Sequence, residues 1–261
     1  MDHQIIIFSK NGSQILQKSN KDNTDIDDEA SFRGILSILE PLTRDCSGLL
    51  YSIVIANNHI DVYFDGYYFF FSIISCRSRK ALLSINSIFV VEVSRIFRSF
   101  TNQKRITKEM PLEEQVSFFS LISHDTLELI LVELNPLLIP SVSYLTFISM
   151  DNRVIYSLGA SKEAPDQFVL SWFAALEASD SLGDNSYIQA NEFPHVFVFH
   201  FLPPIKLVVY FGLSFNPNEY FDHVNSVIQN ISSLFEEKPL FKPKMPSYPS
   251  RGRRHIHRTE D

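Results

Sequence analysis

Two stretches of the chain, 140 residues apart, carry the same alternation of apolar and polar positions. Ile5-Ile-Ile-Phe-Ser-Lys-Asn-Gly-Ser-Gln-Ile-Leu16 reads as strand, tight turn, strand, and so does Leu145-Thr-Phe-Ile-Ser-Met-Asp-Asn-Arg-Val-Ile-Tyr156. Asn11-Gly12 is a strong hairpin signal, read as a type I′ turn with positive φ at both central residues; Asp151-Asn152 takes the turn in the second copy. Ser9 aligns with Ser149 and Ile15 with Ile155.

A polar stretch and then a helix follow each hairpin. The first helix is expected from Asp28 to Arg44, with Phe32, Ile35, Leu36 and Leu39 at helical spacing and Pro41 as a fault or early stop. The second opens at Ala164-Pro165 and carries Phe168, Trp172, Ala175 and Leu176, with Gly183 just past its end.

Three strands follow in each half. They are expected near Leu49–Ala56, His59–Phe64 and Tyr67–Cys76, then near Ser186–Ala190, His195–Phe201 and Ile205–Leu213. A long amphipathic helix closes each half, from about Lys80 to Phe100 and from about Pro217 to Glu236. Each half is therefore ordered β-β-α-β-β-β-α. Short turns between strands imply antiparallel sheets with helices on their faces. Between the halves, Leu112–Ile122 and Leu127–Leu134 carry helical spacing that could extend the first unit or bridge the two.

Tyr67 to Phe71 is aromatic on both faces, which a central strand buried on both sides explains; a ligand pocket is the other reading. With 45% hydrophobic residues and 20% charged, the composition is globular. The formal charge of −7 is unevenly spread. Lys238 to Asp261 has seven basic and two acidic residues, which leaves −12 on residues 1–237. Such a body is a poor general binder of nucleic acid. The tail, with four prolines, reads as disordered, with at most a weak hold on anionic lipid. No apolar run is long enough for a membrane helix, and Met1-Asp-His-Gln4 lacks a signal peptide's basic start, so a soluble cytosolic protein is expected.

No catalytic, cofactor-binding or metal-binding constellation stands out, and no cofactor is expected. There is no Gly-rich phosphate loop, zinc pair or nucleophile elbow. His195 and His200 share a strand but point to opposite faces, and His255 and His257 lack an organised third ligand. His124-Asp125 reads as a helix end. Cys46 and Cys76 read as buried packing. The sequons at Asn11 and Asn230 matter only on secretion, and the acids at Asp22, Asp25, Asp27, Asp28 and Glu29 read as a solvated loop.

The doubled element order over residues 4 to 235, with Ile5–Leu16, Tyr144–Tyr156, Phe168–Ala178 and the segment holding Leu127, Leu131 and Leu134, resembles the tandem longin domains of the vacuolar fusion protein family Mon. The Fuzzy, Hermansky–Pudlak and Ccz families share that architecture. The likeness implies an α/β (α+β) chain of two longin domains, each a five-stranded antiparallel sheet with flanking helices. Its divisions are a first longin domain at 1–108, a helical connector at 109–140, a second longin domain at 141–237 and a basic tail at 238–261. The family has three longin domains where this chain has room for two.

The resemblance further implies a regulator without covalent chemistry. Paired with a Ccz-like longin protein, it would act as a guanine-nucleotide exchange factor for a late-endosomal Rab GTPase, peripherally on late endosome or vacuole membranes. An exchange factor works by binding the nucleotide-free GTPase better than the loaded one. The alternative is a non-catalytic trafficking scaffold, such as an adaptor small subunit or a Fuzzy-like effector.

Overall fold

In the computed structural model, the described residues are 3–19, 29–43, 46–55, 57–122, 125–149, 153–159, 186–188, 195–212 and 214–235. The second-half helix expected between Ala164 and Gly183, the Asp151-Asn152 turn, the acidic run at 22–28, His124 and the tail at 238–261 lie outside them. The class is mixed α/β, and every strand pairing is antiparallel.

The first sheet holds β1 (His3–Ser9), β2 (Gln14–Ser19), β3 (Leu49–Ile55), β4 (Asn58–Phe64) and β5 (Tyr68–Ser75) in the order β2-β1-β5-β4-β3. The second holds β6 (Val142–Ile148), β7 (Val154–Gly159), β8 (Ser186–Ile188), β9 (His195–Leu202) and β10 (Ile205–Phe211) in the order β7-β6-β10-β9-β8. The two orders are the same. In each, the last strand is inserted beside the first and becomes central.

That position explains the aromatic run. β5 is bounded by β1 and β4, and its alternate residues face two separate cores. Phe69, Phe71 and Ile73 pack with Phe32, Ile35, Leu36 and Leu39 of α1 (Glu29–Leu39). Tyr68, Phe70 and Ile74 pack toward α2 (Lys80–Phe100). Pro41 ends α1, because a ring at that place removes a helical donor; the chain continues as one 3-10 turn over Glu40–Thr43.

The hairpin turn differs from the expected type I′. Gly12 N–H donates to the Ser9 carbonyl at 2.9 Å, and Ser9 N–H to the Ser13 carbonyl at 2.8 Å. Only Gly12 has positive φ, at 77°; Asn11 does not. The loop is thus a longer turn with glycine in the left-handed position, accompanied by a register shift between Ile7 and Phe8. A strand pattern cannot count loop residues, so the two-residue turn was the wrong choice.

α2 is the axis of the molecule. Its middle, Ile85–Ser94, is buried on all sides, and Leu82, Ile96 and Phe97 extend the buried surface toward its ends. One side lies on β4 and β5, and the other meets α4 (Thr126–Leu134), β7 and β9. One apolar core therefore joins the inner faces of both sheets. α4 also packs on α5 (Pro217–Ser233), so the intervening segment bridges the halves. The Tyr220 hydroxyl of α5 donates to the Leu137 carbonyl at 2.7 Å, and Asn230 Nδ2 to Glu133 Oε2 at 3.0 Å. Asn216 caps α5 by accepting from Asn218 N–H at 3.1 Å.

The two edges of the first sheet differ. Beside β2, Met110 N–H donates to the Ile15 carbonyl at 2.9 Å. Lys18 Nζ reaches the Phe119 and Ile122 carbonyls, at 3.4 Å each, where α3 (Leu112–Ser120) ends. Along β3, by contrast, β4 on the inner side is the principal neighbour among the described residues.

Candidate interaction surface

The most concentrated polar chemistry is buried. Ser52, Asp61 and Ser72 stand in one row across β3, β4 and β5, on the face covered by α2. Asp61 is fully buried and its carboxylate accepts at both oxygens. Ser52 and Ser87 donate to Oδ1, the latter at 2.9 Å. Asn86 Nδ2 donates to Oδ2 at 2.7 Å, and His59 Nε2 faces the same oxygen at 3.1 Å. A carboxylate has about four lone-pair sites, and four partners fill them. Ser72 Oγ donates to Asn86 Oδ1 at 2.6 Å, so the His3 ring nitrogen 2.8 Å away acts as donor to it.

Serine, histidine and aspartate meet here, but in an order that serves cohesion. Ser52, Ser72 and Ser87 all spend their protons on carboxylate or amide oxygens, and His59 contacts the carboxylate rather than a serine. The one serine–histidine contact among them, Ser72 Oγ with His3 Nε2 at 2.8 Å, has the ring donating, the reverse of a nucleophile-to-base contact. The network pins α2 to the sheet. Sequence reading passed over it, although an acid inside an apolar strand and Asn86-Ser87 inside an apolar helix stripe were the available signals.

A second buried acid lies where the halves meet. Glu92 of α2 is fully buried, with Arg95 Nε at 2.9 and 3.0 Å from its two oxygens. Ser232 of α5 donates to Glu92 Oε1 at 2.8 Å. Beside it a cleft of about 450 Å³ is lined by Tyr63, Asp65, Arg95, Arg98, Leu202 and Pro203, among others. Burial, aided by the Asp65 charge, pushes the Tyr63 phenol up to about 12.

Asp65 accepts at Oδ1 from the Tyr67 and Tyr68 N–H groups, both at 2.8 Å. Its Oδ2 has only an ion-pair contact with Arg98 Nε at 3.4 Å, without hydrogen-bond geometry. Burial raises the Asp65 carboxyl above its ordinary value, outweighing these backbone donors and Arg98. The native state then holds the proton more firmly than the unfolded chain. The associated stability is present below a pH of about 3.8 and is lost as pH rises through the raised value. Asp65→Asn, which keeps the Oδ1 acceptor, should flatten that loss. Urea midpoints measured at intervals from acidic to neutral pH would show a shallower fall for the variant; an unchanged profile would refute it.

The exposed surface is more suggestive. Along the open edge, Val54 and Ile55 are exposed, and Leu49, Tyr51 and Ile53 are only partly covered by α1. Ile38 on α1 is 70% exposed and Leu42 just beyond it 54%. Together they form an apolar edge and shoulder. Arg33 and Glu40 are exposed, and both line a groove of about 540 Å³ between α1 and the first hairpin.

The other singled-out residues are dispersed. Asp125 stands at the N-terminus of α4, as a helix end should, and His200 is exposed on β9. Cys46 is exposed and Cys76 half-buried, which corrects the expectation of buried packing: both lie outside the strands, Cys76 in a turn. Among the described residues no group of three or more His, Cys, Asp or Glu is placed to hold a metal ion, and no helix is long and apolar enough to cross a membrane. No family model and no curated protein matches the chain.

Proposed function

We propose that this chain consists of two tandem longin domains and serves as a subunit of a Mon–Ccz-type exchange factor for a late-endosomal Rab GTPase. The observation that carries the reading is the same five-strand order in both sheets, with the open apolar β3 edge and the exposed Ile38 and Leu42 beside it in the first. An open edge offers unpaired backbone donors and acceptors to a neighbouring strand, and an apolar shoulder adds area to the contact. A Ccz-like longin protein is the partner, and endosome-to-vacuole traffic the setting. Such a factor acts by favouring the nucleotide-free state of the GTPase, so it has no need of a phosphate loop of its own.

Pairing is testable by itself. Ile38→Glu combined with Val54→Lys should weaken association with the partner by at least about tenfold, roughly 1.4 kcal/mol. Both positions are exposed, so the fold should lose no more than about 0.5 kcal/mol per site. Sedimentation of the mixture and a urea midpoint of the free chain would separate the two effects. Unchanged association would exclude this edge.

The exchange reaction itself is tested by release of labelled GDP from a late-endosomal Rab, with the partner-bound chain on liposomes. Release should be accelerated, and the acceleration should be lost in Arg33→Glu with Glu40→Lys. Release at the intrinsic rate from a folded, partner-bound chain would rule out the exchange factor and favour the scaffold.

A further inference from the structure

From Arg98 to Lys108 the chain carries four cations, Arg98, Lys104, Arg105 and Lys108, and no acid, within a body of net negative charge. The segment leaves the end of α2 through Asn102 and Gln103, both in the left-handed region, with φ of 49° and 59°. It is fixed by Ile106 N–H, which donates to the buried Tyr68 hydroxyl at 2.5 Å. Arg105 is therefore adjacent to an anchored residue.

Tyr67, 45% exposed, has Arg98 at 4.8 Å and Arg105 at 5.5 Å from its ring centroid. Stacking on a ring holds a planar guanidinium in place while leaving its N–H edges open. Arg98 is engaged with Asp65 through Nε alone. Arg105, Lys104 and Lys108 have no carboxylate partner among the described residues. Lys104, Arg105 and Lys108 also line a groove of about 590 Å³, together with Glu109 and Glu114. Acids in the same groove disfavour a broad anionic surface and favour a compact anion.

We propose that this segment is a phosphate-binding site, in which Arg98 and Arg105, stacked on Tyr67, grip a phosphomonoester or pyrophosphate group while Lys104 and Lys108 supply surrounding charge. Two guanidiniums held on one ring suit bidentate contacts to phosphate oxygens. The inference is independent of the exchange-factor reading and does not use the β3 edge.

The probe is inorganic pyrophosphate, titrated calorimetrically into the full chain. Saturable binding is expected, weakened about tenfold in Arg105→Ala by loss of one charge-assisted contact. Arg105→Lys, which keeps the charge but not the fork, should recover only part of it. Arg77→Ala, the same charge change at an exposed site on another turn, should bind as the unaltered chain does. Retention on vesicles carrying phosphatidylinositol monophosphate, competed by pyrophosphate, would assign the group to a lipid headgroup. Pyrophosphate binding without vesicle retention would assign it to a soluble phosphate. The proposal is overturned by absence of saturable binding, by equal losses in the Arg105 and Arg77 variants, or by equal affinity for phosphatidylserine vesicles or an unphosphorylated acidic peptide.

Discussion

Asp61→Ala is expected to destabilise the protein by about 3–5 kcal/mol, the range for removing one partner from a buried charged cluster. The loss comes less from the carboxylate than from what it leaves behind. Ser52 and Ser87 would each keep a hydroxyl with no acceptor, and Asn86 Nδ2 would retain only the Ser72 carbonyl at 3.0 Å. Each stranded donor in a dry site costs about 1–3 kcal/mol. Asp61→Asn should fall between the two, because one amide oxygen still accepts while the amide nitrogen meets donors. Urea denaturation of the three proteins provides the comparison. A loss below about 1 kcal/mol for Asp61→Ala would mean that water replaces the carboxylate and that the network is not sealed.

Phe97→Ala is expected to cost about 3–5 kcal/mol. The ring is fully buried, with Tyr68, Phe70 and Phe118 rings at 5.3, 5.6 and 5.4 Å in edge-on geometry. These contacts join β5, α2 and α3. The cavity would therefore loosen α3 as well as the helix that carries it. Hydrogen exchange should show faster exchange in Leu112–Ser120 than in β1, in addition to the lower global stability. Uniform acceleration through both would show that α3 is not separately held.

Much of the fold was legible because its elements have strong periods. α2 runs from Lys80 to Phe100, the bounds its apolar spacing gives, and Pro41 marks a real helix end. The β5 aromatics could be assigned to a two-sided strand because four consecutive large rings, Tyr68 to Phe71, leave no solvent face; Tyr67, expected in the same strand, instead lies just before it and is exposed. Other features depend on contacts between distant residues, which spacing does not encode. α2 has an amphipathic pattern yet its middle is buried all round, since the face that one sheet leaves open is covered by α4, β7 and β9. The Asp61 row was missed because each of its members is unremarkable alone. It exists only once register sets Ser52, Asp61 and Ser72 side by side. The β3 edge was likewise invisible, because strand order, not strand content, decides which strand is left at the border. The inner face of α1 was legible, since Phe32, Ile35, Leu36 and Leu39 follow simply from helical spacing and are all buried.

The unequal edges of the first sheet also set a limit on number. A sheet open at both borders can add neighbours without end, and fibres grow in that way. Here Met110 and α3 occupy the β2 border, so among the described residues a molecule joined through β3 has no second open border in that sheet to offer. Growth through this sheet stops at a pair, whether the second member is another copy or a different chain. Unblocking the β2 border would convert a self-limiting contact into a repeating one.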